Sequence, residues 1–113
     1  MSDLVVRLSD TDHPVEVGGP NPTPGEFRRR LTELEYVFIR FPDTVGGTEL
    51  GVSVDSTSTD LSGADFGSSS GVVHVEGTLT LDFEDVRCVA DIDLATLRGR
   101  GRLVVVAGSR PVA

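Results

Sequence analysis

A chain of 113 residues with 38% hydrophobic side chains can build one core and leaves little room for a second. Its formal charge of −8 makes nucleic acid and anionic membrane surfaces poor partners. One cysteine, Cys88, excludes an internal disulfide or a cysteine-based metal site, and the absence of tryptophan leaves the core to valine and leucine, which favours strands.

In chain order, "DLVVRL" (3–8) reads as a short strand and "HPVEV" (13–17) as a second, with Pro14 suited to an edge or a strand start. "GGPNPTPG" (18–25) is a loop. "EFRRRLTELEYVFIRF" (26–41) carries two signals. Thr23-Pro24-Gly25-Glu26 has the spacing of a helix start, and Phe27, Leu31, Leu34 and Phe38 would share a helical face. The β-branched and aromatic "YVFIRF" favours a strand, so the reading is one helical turn at 24–29 followed by a strand over 31–41, ended by Pro42. "TELGVSV" (48–54) is a further strand. "DSTSTDLSGADFGSSSG" (55–71) is a flexible Ser/Gly/Asp-rich loop, either a connector or a lid.

The last third predicts strands at 72–83, 86–94 and 99–107. The expected pairing sets Phe83 opposite Val86 and Leu94 opposite Gly99, which gives one continuous apolar face. On the other face Asp93 then lies opposite Arg100 and Asp91 opposite Arg102. The whole is a single all-β domain over 1–113: an antiparallel meander closing into a small β-barrel or sandwich, with at most one short helical turn. Closure would hide the edges of "RLVVVA" (102–107), and a homodimer contact along that edge is the alternative.

Chemistry-bearing residues are few. His74 and Glu76, at i and i+2, share the polar face with Thr78, Thr80 and Asp82. That face is either solvated with balanced charges, or it lines a cleft where His74 works as acid or base near neutral pH. Tyr36 and Arg40 share a strand face with Phe38. If that face lines a cavity they are handles for a bound organic molecule; if not, Tyr36 is a core residue with a satisfied hydroxyl. Phe66 is the only aromatic of the 55–71 loop and completes the candidate ligand-binding set. Cys88 faces core. "RGRGR" (98–102) reads as a turn and strand start whose arginines neutralise Asp91 and Asp93. The two histidines lack metal-ligand spacing, so no metal is expected. "MSDLVVRLSD" lacks the basic start and long apolar run of a signal peptide, and no stretch has the length of a membrane span, so a cytoplasmic protein is expected.

"GVVHVEGTLTLDFED" (71–85) resembles a stretch in small β-barrels of the allene-oxide-cyclase-like group, which includes cyclases of bacterial polyketide pathways. Shared are Gly71, a β-branched pair, His74, Glu76-Gly77 and an alternating run that ends in an acidic turn. The resemblance implies a barrel that folds an apolar substrate in its lumen without a cofactor, and His74 and Glu76 match it by position. The expectation is a cofactor-independent cyclase or isomerase acting on a polyketide-like metabolite, with Tyr36, His74 and Glu76 as catalytic candidates and Tyr36 or His74 polarising a carbonyl. The alternative is a non-catalytic module that binds a small molecule or a protein.

Overall fold

Alternating burial along six strands closes a barrel. The computed structural model describes residues 3–20, 22–44 and 46–106. The strands are β1 (His13–Val17), β2 (Tyr36–Phe41), β3 (Thr48–Val54), β4 (Ala64–Asp65), β5 (Ser70–Leu81), β6 (Glu84–Asp93) and β7 (Arg98–Val105). They run in the order β3-β2-β1-β7-β6-β5-β4, all antiparallel, and β3 returns to pair with β5. That pairing, Ser53 with Thr78 and Val54 with Gly77, closes a six-stranded ring from which only the two-residue β4 is left out. The expected small all-β barrel is therefore what the chain forms.

Inward positions hold Val15, Val37, Ile39, Phe41, Val52, Val73, Val75, Val86, Cys88, Ala90, Ile92 and Leu103, each exposed over 1% of its surface or less. Side chains around a substrate-sized lumen would carry accessible surface, and these carry almost none. A six-stranded barrel is narrower than the roughly eight-stranded kind that can hold a small ligand. Burial pushes the Cys88 thiol up to about 12, so it packs as a small apolar group and is no nucleophile at neutral pH.

Three sequence expectations are corrected. Residues 3–8 are not a strand but part of helix α1 (Asp3–Ser9). Val5 and Leu8 share its buried side, Asp3 sits in its first turn and Arg7 in its last, which suits the helix dipole. The strand expected over 31–41 begins only at Tyr36. Helix α2 (Pro24–Arg29), with Thr23 Oγ1 accepting the Glu26 N–H at 3.1 Å, continues as a π-helical turn over Arg30–Leu34. "RLTEL" consists mostly of good helix formers, and Glu26 pairs with Arg29 and Arg30 one turn on, so the helical signal wins up to the "YVFIRF" run.

The third correction is register. Leu79 faces Val86 and Leu81 faces Glu84, so the β5–β6 turn is Asp82-Phe83 and not Glu84-Asp85. On the other side Asp91 faces Arg100 and Asp93 faces Arg98. Both slips are even-numbered, so each side chain stays on its expected face. Phe83 is the exception: expected in the apolar row, it stands at the hairpin tip. Ala107, the last residue of the strand expected over 99–107, lies outside the described residues.

With the true register, "RGRGR" becomes intelligible. Its arginines point outward and Gly99 and Gly101 point inward, where a side chain would collide with the β6 backbone. Inward Gly77 likewise lets the Ser53 carbonyl of β3 approach. Glycines at such points let a narrow barrel bend tightly. The outer face carries a row of alternating charge across five strands, Glu49–Arg40–Glu16–Arg98–Asp93, in which Glu16 lies 3.6 Å from both Arg40 and Arg98. These are solvated cross-strand pairs, each worth roughly 0.2–1 kcal/mol.

Candidate functional site

The β5–β6 register places His74 across from Asp91, with Arg87 diagonal to Glu76. The segment after β3 is laid along the edge of β5. Asp55 N–H donates to the Glu76 carbonyl (2.8 Å), and Asp60 and His74 exchange backbone hydrogen bonds at 2.8 and 3.0 Å. Thr59 Oγ1 accepts from the Glu76 N–H and donates to its carbonyl, both at 3.2 Å. The 55–71 segment thus takes up backbone groups along β5, and Leu61, Ala64 and Phe66 pack against the core.

This brings a chain of charges together on the outer surface. His74 Nε2 lies 2.7 Å from Glu76 Oε2 and its Nδ1 2.8 Å from Asp91 Oδ1. Arg87 donates from Nε to Glu76 Oε1 (2.9 Å) and from Nη2 to Asp55 Oδ2 (2.7 Å). The other Asp55 oxygen accepts from the Thr57 hydroxyl at 2.7 Å. Each ring nitrogen of His74 faces a carboxylate oxygen, which only the doubly protonated ring satisfies. Glu76 first, then Asp91, raise the His74 pKa. His74 and Arg87 lower that of Glu76, and Arg87 and then Thr57 hold Asp55 far below the usual carboxylate range. A general base needs a free lone pair, and a general acid must release its proton readily. Both ring nitrogens of His74 are turned to carboxylates, and its proton is held more tightly than that of an ordinary imidazole. The arrangement is an ion-pair clasp that fastens the 55–60 segment to the sheet.

Arg87→Ala should therefore leave Glu76 and Asp55 without their shared cation. The expected loss is about 1 kcal/mol in urea unfolding, with faster amide exchange at Asp60 and His74. Unchanged exchange at those amides would show that the clasp does not hold the segment.

The other expected site residues lie elsewhere. Val37, Ile39 and Phe41 point inward, so Tyr36, Phe38 and Arg40 stand on the outer face of β2. Tyr36 is 41% exposed and meets Phe38 edge-on at 5.5 Å, and the Arg30 guanidinium covers Phe38 at 5.3 Å. Tyr36 is therefore not a core residue, and this face lines no lumen. Arg40 belongs to the charge row. Phe66 lies under the Arg28 guanidinium at 5.8 Å, beside α2. The ligand-binding and catalytic candidates do not converge on one place.

Sequence reasoning passed over Asp55, Arg87 and Asp91 as members of the clasp, and over His13. A turn at Asp82-Phe83 would have disclosed Arg87, but phenylalanine there disguises it. His13 is buried at the start of β1. Its Nδ1 lies 2.8 Å from Asp43 Oδ2, and its Nε2 lies 2.7 Å from the Arg7 carbonyl and 3.2 Å from Asp10 Oδ1. Asp43 above all raises its pKa. The ring pins the C-terminal end of α1 to the loop after β2.

Among the surface hollows, two adjoin these strands and the 55–61 segment. One, of about 490 Å³, opens where β3 and β5 part, and its lining includes Ser53, Thr78 and Thr80 as well as Leu79, Val86 and Val106. A second, of about 370 Å³, lies between the π-helical turn and the 55–61 segment, with Leu31, Val54 and Leu61 beside Thr32, Glu35, Ser56 and Thr59. Glu35 there has a left-handed backbone, φ 52°. Among the described residues no cluster of His, Cys, Asp and Glu is arranged to hold a metal ion, and no helix is long and apolar enough to cross a membrane. Comparison with protein-family models and with curated proteins found no match to this chain.

Proposed function

We propose that this chain is a non-catalytic protein-interaction module, a closed barrel that presents its outer surface to a partner. The observation that carries this reading is the filled interior. A lumenal cyclase needs space for a substrate, and the buried inward side chains of the barrel carry almost no accessible surface. The acid–base candidates His74 and Glu76 are spent on the clasp, which gives the barrel rigidity in place of reactivity. Large apolar side chains meanwhile stand in water at Leu34, Tyr36, Val72 and Phe83. The test is the mass of the chain isolated at its natural level from its own cells. An assembly well above the 12.0 kDa of one chain, with a stoichiometric second protein, is expected. A lone chain would sink the reading.

One observation favours a second reading, that of a small-molecule binder. A π-helical turn and a left-handed Glu35 flank the 370 Å³ hollow, and such departures gather at functional sites. A fragment screen by NMR should then shift the Leu31, Val54 and Leu61 signals together. A screen that moves none of them removes this reading.

A further inference from the structure

Phe83 is the residue that neither the core nor the local backbone explains. It is 98% exposed, so folding buries nothing of its ring. It occupies the second position of a two-residue turn in which Asp82 has φ 50° and Phe83 φ 65°. Positive φ at both central positions is the hairpin turn that Asn-Gly or Asp-Gly makes without strain. Asp82 fits that rule. Phe83 stands where glycine belongs, and its Cβ costs free energy there.

The turn also projects. β5 has 12 residues and β6 has 10, against 5, 6 and 7 in β1, β2 and β3. The pairing of β3 with β5 stops at Thr78, so the end of the hairpin runs on beyond the closure as a short arm, flanked by β7 along β6 as far as Val86. The arm is acidic. From Leu79 to Val86 there is no basic residue, while Asp82 is exposed and Asp85, half-buried, holds the Thr80 hydroxyl at 3.0 Å.

We propose that Phe83 is a docking anchor that enters an apolar socket on a partner protein, and that the rim of the socket is basic. This rests on the reading of the chain as an interaction module and names its contact point. An exposed aromatic held at a tight tip pays little further ordering entropy when it binds, as interface anchors require. Charge selects the partner. A second copy would bring one acidic arm to another in a chain of net charge −8, and an anionic lipid surface would repel the arm as well.

The test places a photoreactive benzoylphenylalanine at position 83, or at the exposed Val72 as control, in the chain expressed in its own cells. Irradiation should give one heteromeric product from position 83 and none from position 72. The partner so identified, once purified, should bind Phe83→Gly about 30-fold more weakly than the natural chain, and salt should weaken the natural complex. Phe83→Gly should melt at the same temperature as the natural chain or higher, because glycine relieves the turn. The proposal is overturned by the absence of a product, by a product with a second copy alone, by unchanged affinity of Phe83→Gly, or by a lower melting temperature. A stoichiometric assembly without a cross-link from position 83 would defeat this inference and leave the interaction-module reading standing.

Discussion

Gly99→Ala should cost about 3 kcal/mol or more, a large fraction of the stability of a domain this size. The added methyl would fall inside the contact distance of the Asp91 carbonyl oxygen and 2.8 Å from its carbonyl carbon. Both belong to the β6 backbone, which cannot turn aside as a side chain can. The β6–β7 ladder, in which Ile92 faces Gly99, would have to open. Gly25 is the control. It lies in the first turn of α2 with nothing within 4 Å of an added Cβ, so Gly25→Ala should stabilise the chain by about 0.5–1 kcal/mol. Urea melts of both variants decide the matter. Equal stability of the two would mean that the barrel is looser at β6–β7 than its geometry requires.

His13→Ala should remove about 2 kcal/mol at pH 6 and markedly less at pH 9. At pH 6 both ring nitrogens carry protons, and the side chain joins Asp43 to the Arg7 carbonyl. A pKa raised on folding means that the native state holds its proton more tightly than the unfolded chain. The stabilisation is complete below the ordinary value of 6.5 and fades as pH climbs through the raised one. His74 acts in the same direction. Glu76 and Asp55 act in the opposite one. Their pKa values are lowered, so their contribution is complete above the ordinary 4.5 and 3.8 and is lost as pH falls through the lowered values. Stability of the natural chain should therefore peak between the ordinary carboxylate and imidazole values. A loss in His13→Ala that is the same at pH 6 and pH 9 would show that the ring serves by packing alone.

How far the fold was legible follows from the kind of signal. The barrel was readable because alternation survives errors of register: Val73, Val75, Cys88, Ala90 and Ile92 face the core whether or not the ladder is shifted by an even number. The register itself was not readable. It is set at the Asp82-Phe83 turn, where phenylalanine stands in a position that glycine normally marks. Residues 3–8 misled because "DLVVRL" fits either period over so short a run, and packing against the barrel decides for the helix. The clasp could be half seen. His74 and Glu76 share a face by spacing alone, but Arg87 and Asp55 join them only through pairings that no local pattern announces. The filled interior was not legible for a different reason. Nothing local in the sequence tells how many strands a ring will contain, and that number decides whether its interior can admit a substrate.

The pairing of β1 with β7 has a consequence for synthesis. A chain leaving the ribosome from its N-terminus makes β1, with its neighbour β2, long before β7 exists. Until Arg98 and the residues after it emerge, His13–Val17 lacks the partner on one flank and Val15 is without its cover. Contacts between such distant parts of a chain form slowly, and exposed strand edges invite association with other nascent chains. A chain stalled before β7 is an open sheet with two unpaired edges, and the barrel becomes self-contained only when its last strand arrives.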